Sequence, residues 1–192
     1  MPVRQSDLFY CEHLGASERD RQDIRHFSVR DERGEGLVNY LQHSAFPDEE
    51  AGHMRTYLVR ENSTSELVAY FSLKAGLVSL DEIKTEMGIA FNTLPGVELA
   101  NFALNNEFIR KRPEMKGLGL MIFTRFVRPL IKDASKVVGV KFIYIFALPY
   151  EGLIERYGQY GFKRFEPDRE ADLHRRLKPS YDDECIFMYQ IL

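Results

Sequence analysis

Two rhythms of apolar residues run along this chain, and the change from one to the other marks its elements. Residues 56–60 (TYLVR) and 66–73 (ELVAYFSL) are short runs rich in β-branched and aromatic side chains. The polar stretch Glu61-Asn62-Ser63-Thr64-Ser65 separates them, so together they predict a hairpin. Before it, residues 7–10 read as a first strand and 18–25 as a short helix or loop. Residues 36–45 place Leu37, Tyr40, Leu41 and Ala45 on one helical face; Pro47 ends or interrupts that helix, and 48–54 resume it. An excursion follows over 75–96, with a short helix over 80–87 and a turn at Pro95-Gly96.

Residues 97–109 return to a period of two. Ala100, Phe102, Leu104 and Phe108 share one face with Asn106, and Asn101, Asn105 and Glu107 share the other. Residues 117–138 form the longest helical segment, with Leu120, Phe123, Val127, Leu130, Ile131 and Ala134 as the buried stripe and Pro129 as an internal kink. Residues 138–148 are almost wholly apolar after Lys141, the mark of a strand buried on both faces. A short helix over 149–160 precedes two final strands, 162–165 and 185–192, which flank a charged loop or helix over 168–178. This order predicts an α/β (α+β) fold: a mixed, mostly antiparallel twisted sheet flanked by helices, with 97–148 forming a crossover between parallel strands.

A chain of 192 residues, 44% of them hydrophobic, suits one domain over 1–192. The two cysteines, Cys11 and Cys185, and five scattered histidines match neither a disulfide framework nor a metal-ligand spacing, so no metal is expected. The N-terminal MPVRQSDLFY lacks an apolar core, and no apolar run is long enough to span a bilayer, so a cytoplasmic protein without membrane contact is expected. Charge is distributed unevenly. Between Arg110 and Lys136 eight basic residues stand against two acidic ones, +6, which leaves −9 for the rest of a chain of net charge −3. A local anionic ligand fits this better than a broad nucleic-acid footprint.

The basic window opens on Arg110-Lys111-Arg112-Pro113-Glu114-Met115-Lys116-Gly117-Leu118-Gly119-Leu120, two glycines one residue apart between a predicted strand and a predicted helix. Such a turn points backbone N–H groups outward at the positive end of the helix dipole and makes an anion site. About forty residues on, Tyr157-Gly158-Gln159-Tyr160-Gly161-Phe162 closes the short helix.

In these two places the chain resembles the GCN5-related N-acetyltransferase superfamily over about residues 20–192. That family's pyrophosphate loop reads Gln/Arg-x-x-Gly-x-Gly/Ala, and Glu114 to Gly119 keeps both glycines but has glutamate first, with Arg112 and Lys116 as neighbouring cations. The family's helix end, Tyr-x-x-x-Gly-Phe, is matched by Tyr157, Gly161 and Phe162, while Tyr150 stands where the family often has asparagine. Residues 27–73, ending in Tyr70-Phe71-Ser72-Leu73, look like the branch with toxin acetyltransferases.

The resemblance implies acetyl-CoA as co-substrate, transfer to a primary amine in a ternary complex, and no metal. It implies a cofactor loop of Met115, Lys116, Gly117, Leu118, Gly119 and Leu120, and a strand end, Phe108-Ile109, whose backbone pairs with the pantetheine arm. Tyr157 is implied as the general acid, since a phenol titrating near pKa 10 suits a leaving thiolate whose thiol titrates near 8.5. Glu107, on the polar face of its predicted strand, is the candidate base. The amine belongs to a small molecule or a protein, with tRNA as an alternative, and the protein is a monomer or homodimer. A non-catalytic acyl-CoA-binding module is the competing class.

Overall fold

The computed structural model describes residues 2–85, 88–176 and 184–192, with side chains placed outside 80–92. Eight strands make one mixed sheet: β1 (Arg4–Gln5), β2 (Phe9–His13), β3 (Arg55–Glu61), β4 (Leu67–Thr85), β5 (Gly88–Leu104), β6 (Phe142–Ala147), β7 (Lys163–Arg164) and β8 (Ile186–Ile191). Their order is β1-β2-β3-β4-β5-β6-β8-β7. The predicted hairpin is β3 with β4, paired from Arg55–Leu73 to Arg60–Leu67 around a bulge. Both β4 and β5 outrun their predicted lengths. Residues 80–85, expected as helix, continue β4, and the rest of that expected helix, 86–87, lies outside the described residues. The chain divides into two compact units, Met1–Lys74 with Leu99–Pro129, and Ala75–Glu98 with Leu130–Leu192.

In the first unit, alternation gives the sheet two covered faces. Leu58 and Tyr70 are cross-strand partners on one face and pack with Leu14, Ile24, Phe27, Leu41, Ala45, Leu67 and Ala103. Two helical stretches cover this face. The first is α1 (Asp20–Asp23), which runs into a 3-10 turn, Ile24–His26. The second is α2 (Glu35–Asn39), continued by a π turn, Tyr40–Ser44, into α3 (Ala45–Ala51). The predicted stripe of Leu37, Tyr40, Leu41 and Ala45 does face the core. Pro47 does not break the helix. The π turn just before it, closed by the Ala45 N–H to the Tyr40 carbonyl, shifts the hydrogen-bond ladder next to the residue that cannot donate. Tyr70 donates to the Leu37 carbonyl at 2.6 Å, which fixes the helix over the strand, and burial raises its phenol well above the usual range.

Arg60 is a charged residue buried at this end of the sheet. It is 2% exposed, beside Glu12 at 7% and Asp20 at 0%. Its Nε donates to Glu12 Oε1 at 2.7 Å, one guanidinium nitrogen to Asp20 Oδ1 at 2.6 Å, and the other to Asp23 Oδ2 at 2.6 Å and the Ser65 carbonyl at 3.0 Å. The other Asp20 oxygen accepts from Gly15 N–H at 2.8 Å. The guanidinium thus makes four hydrogen bonds, and each of its three nitrogens has an oxygen partner.

The opposite face carries Phe9, Cys11, Tyr57, Val59 and Phe71, with Tyr57 stacked on Phe71 at 4.9 Å between centroids. Cys11 is wholly buried there, and desolvation pushes its thiol up to about 12, so it is no nucleophile. Phe108 meets Phe9 edge-on at 6.1 Å. The predicted strand 97–109 ends early: β5 stops at Leu104, Asn105 caps a short helix, and α4 (Asn106–Lys111) follows. On β5, Leu99, Asn101 and Ala103 are the more buried positions, so the face read as polar points inward.

The long helical segment begins as α5 (Leu118–Ile122), passes through a second π turn, Phe123–Val127, and ends as α6 (Arg128–Ala134). Pro129 again comes just after the π turn, with only Arg128 between, and again the helix survives. The extra residue rotates the buried stripe to Leu118, Ile122, Phe123, Phe126, Val127 and Ile131, while Leu120, expected inside, is 39% exposed.

In the second unit, Gly96, Val97 and Glu98 of β5 pair in parallel with Phe142, Ile143 and Tyr144 of β6, which is the expected parallel connection. β6 is buried at nearly every residue and pairs along its whole length with antiparallel β8; β7 adds two residue pairs to the other edge of β8. Two helices belong to this unit, α7 (Glu151–Gln159) and α8 (Pro167–Arg176), where a charged loop or helix was expected over 168–178. Residues 177 and 178 lie outside the described residues. Val78, Phe142, Tyr144, Leu173 and Phe187 form its core.

Replacing Arg60 by methionine keeps the stem and removes the charge, leaving three carboxylates of which one is wholly buried. The expected loss is about 3–5 kcal/mol, the range for breaking one side of a buried ionic network. Urea unfolding followed by circular dichroism measures it, and a loss below about 1 kcal/mol, the range of surface pairs, would show the network to be dispensable.

Candidate functional site

The loop between α4 and α5 is built by short backbone bonds. Met115 N–H donates to the Arg112 carbonyl at 3.1 Å and Lys116 N–H to the Glu114 carbonyl at 2.9 Å. Gly117 then adopts φ +71°, a left-handed conformation that a residue with a Cβ enters only at a cost, and caps the helix. The Met121 N–H returns to the Gly117 carbonyl at 3.0 Å. The amides of Leu118, Gly119 and Leu120 therefore occupy the first helical turn, where backbone donors have no partner within the helix. Of the six loop residues expected to bind the cofactor, Gly117 caps α5 and these three lie in its first turn. Met115 and Lys116 spend their N–H groups inside the loop.

The nearby cations are mostly committed. Arg110 pairs with Glu107 at 3.1 Å, and Lys111 pairs with Glu66. Arg112 reaches Glu61 at 2.7 Å and Glu66 at 3.5 Å and lies 4.5 Å over the Phe108 ring. It clamps α4 to the hairpin and does not stand beside Glu114 as a compensating charge. Lys116 is exposed and has no carboxylate partner among the described residues.

Two sequence expectations change here. Phe108 and Ile109, expected at a strand end with free backbone, lie in α4, where the Ile109 N–H is bonded to the Asn105 carbonyl at 3.1 Å. Helical backbone cannot accept an added strand. Glu107, expected on a polar strand face, lies in the first turn of α4, exposed and paired with Arg110. The local signal for this helix is Asn105. Its side chain accepts from the Glu107 N–H at 3.2 Å and donates to the Leu67 carbonyl at 2.8 Å, which is N-cap chemistry three residues inside an apparent strand.

Tyr157 belongs to the second unit, where the predicted helix end becomes a specific C-cap. The Phe162 N–H bonds to the Tyr157 carbonyl at 3.0 Å and the Gly161 N–H to the Gly158 carbonyl at 2.9 Å, with Gly161 at φ +92°. This is the Schellman arrangement, and its usual apolar contact is the Tyr157 ring against Phe162, 5.7 Å between centroids. The Tyr160 carbonyl accepts from Gln190 Nε2 at 2.9 Å, tying the cap to β8. Desolvation, the largest cause, holds the Tyr157 phenol above its usual range, with the neighbouring Tyr160 and Tyr150 acting in the same direction. It stays a proton donor well into alkaline solution.

No family model matches the chain, and no curated protein sequence matches it. Solved structures do. AtaTR bound with AcCoA is 15% identical, with a TM-score of 0.69 over 97% of this chain and 95% of the other. A mutant of KacT is 17% identical, with a TM-score of 0.68 over 96% and 95%. The chain has the GCN5-related N-acetyltransferase fold. AtaT complexed with acetyl-methionyl-tRNAfMet shares it as well, at 16% identity and a TM-score of 0.64, with 93% of each chain covered. The mixed, mostly antiparallel sheet flanked by helices agrees with that fold. Among the described residues no helix is long and apolar enough to cross a membrane, and no cluster of three or more histidine, cysteine, aspartate or glutamate side chains has metal-binding geometry.

No atom lies within 4 Å of the place a Cβ would take on Gly117, so a substitution there costs backbone strain alone. Gly117→Ala is expected to lower stability by about 1–2 kcal/mol. Gly117→Asn should cost less, because asparagine tolerates the left-handed region. Equal losses for the two in urea melts would mean that the loop does not hold this conformation.

Proposed function

We propose that this protein transfers the acetyl group of acetyl-CoA to a primary amine. The observation that carries the reading is the Gly117 cradle at the head of the α5–α6 helical run, within a fold shared with AtaTR bound with AcCoA. Coenzyme A supplies the activated thioester, and this chain's residues bind, orient and move protons. The amides of Leu118, Gly119 and Leu120 bind the pyrophosphate, aided by the helix dipole and the exposed Lys116. Tyr157 gives its proton to the sulfur as the thiol leaves. The amine's proton passes to solvent water. Glu107, in the first turn of α4 and paired with Arg110, has no part in this scheme.

A second reading makes the amine that of an aminoacyl-tRNA, in line with the neighbouring AtaT complex. Salt separates the two. An RNA acceptor brings a steep fall of kcat/KM with ionic strength, from release of counterions, and a small amine does not.

Tyr157→Phe should lower kcat by about 10²–10⁴-fold with little change in acetyl-CoA affinity, the usual size for losing a general acid. Because the phenol's pKa is raised, its proton is kept as pH rises, so wild-type kcat should show no alkaline fall from this group below about pH 10. Thiol release from acetyl-CoA, followed in the presence of a panel of primary amines, checks both. Unchanged turnover in the variant would remove Tyr157 from the mechanism.

A further inference from the structure

One face of the second unit is laid with rings. Phe142, Tyr144 and Phe146 alternate along β6, and Ile191, Tyr189 and Phe187 stand opposite them on β8, so all but one of these cross-strand positions are aromatic. Leu173 of α8 packs onto this face with Phe142, Tyr144 and Phe187. One helical turn earlier, on the side of α8 that carries Leu173, the chain has Arg169 where another apolar residue would extend the cover.

A cavity of about 220 Å³ opens there, with Phe142, Phe165, Phe187 and Tyr189 as its ring walls. Phe165 stacks on Tyr189 at 4.4 Å and on Phe187 at 5.8 Å between centroids, within 18° of parallel, so these rings form flat surfaces. A dry cavity of about 150 Å³ is enough to take benzene, so this one has room for a ring and a short polar substituent. Its charged lining is of one sign. Lys141 and Arg169 border it, and no carboxylate does among the described residues. The Arg169 guanidinium lies 5.5 Å from the centre of the Phe165 ring. Lys141 is exposed and also borders a wider hollow with Lys132 and Lys136. Two acids of α8 are engaged elsewhere: Glu170 with Arg164 at 3.0 Å, and Asp172 with Arg175 and Arg176 at 2.9 Å.

A ring-walled space bordered by cations suits a ligand with an aromatic body and one negative group. We propose that this cavity binds an aromatic carboxylate, with the ring among Phe142, Phe165, Phe187 and Tyr189 and the carboxylate at Lys141 and Arg169. A guanidinium matches a carboxylate in shape as well as charge. Burial of the ring and its stacked or edge-on contacts supply affinity. The two cations supply selectivity, since a positively charged molecule of the same shape meets like charges there. Every lining residue belongs to the second unit, and the site does not depend on the acetyl-transfer reading.

The probe is phenylacetate, with benzylammonium, cyclohexylacetate and acetate as counterparts. Each is titrated into the full chain carrying ¹³C-labelled methyl groups and read by NMR at Val78, Leu94 and Ile191, which line the cavity. Phenylacetate is expected to move these signals saturably, with a Kd of the order of 0.1–1 mM. Benzylammonium and acetate are not, and cyclohexylacetate should bind about threefold more weakly. Arg169→Gln and Lys141→Gln, both at exposed positions, should each weaken phenylacetate about fivefold. The comparison of probes on the wild type keeps the test open should a variant fail to fold. No saturable shift, an equal response to benzylammonium or acetate, or unchanged affinity in either variant overturns the proposal. Cyclohexylacetate binding as tightly as phenylacetate overturns the assignment to an aromatic ring.

Discussion

Arg60 is the constraint on which the first unit turns. One guanidinium, out of water on β3, holds Glu12 of β2, Asp20 and Asp23 of α1 and the Ser65 carbonyl of the hairpin turn. These groups come from up to 48 residues away from Arg60 in sequence and meet at its single side chain. Desolvating one cation and its carboxylates is unfavourable unless each finds its partner, so the network tolerates few arrangements of the elements that contribute to it. The outcome is specificity of placement more than net stability. With α1 fixed on the sheet, the chain that follows must lay α2 and α3 over Leu58, Tyr70 and Ala103.

The same unit shows how proline can shape a helix without ending it. Pro47 and Pro129 each follow a five-residue π turn, and in both helices the axis carries on. The missing proline N–H would leave a carbonyl one turn back unsatisfied; widening that turn moves the ladder by a residue. The consequences differ. In the first helix the stripe of Leu37, Tyr40, Leu41 and Ala45 keeps its side toward the core. In the second it rotates the buried stripe, so that Leu120 faces outward beside the Gly117 cradle instead of inward.

Much of this was legible in the sequence where one local rule sufficed. The hairpin, the mostly buried β6, the helix face of Leu37, Leu41 and Ala45, and the Gly117 turn followed from period, turn residues and glycine. The Tyr157-to-Phe162 motif was visible as a pattern, and its physical content turns out to be a Schellman cap with a ring contact. What could not be read depended on partners far along the chain. Glu107 and Phe108 alternate like strand residues, and only the cap made by Asn105, together with its bond to Leu67, turns that segment into α4. Arg112 looked like a phosphate-binding neighbour until Glu61 and Glu66, about fifty residues earlier, claimed it. Asn101 looked solvent-facing because its polarity outweighed the burial of Leu99 and Ala103 on the same side.

The central claim is that the first turn of α5 holds the pyrophosphate of coenzyme A. Isothermal titration of acetyl-CoA into the full chain, beside a Gly119→Glu variant that sets a carboxylate in the cradle, tests it most directly. The account predicts one-to-one binding with a Kd of the order of micromolar, about −8 kcal/mol, abolished in the variant. No binding by the wild type, or equal binding by both proteins, would contradict it.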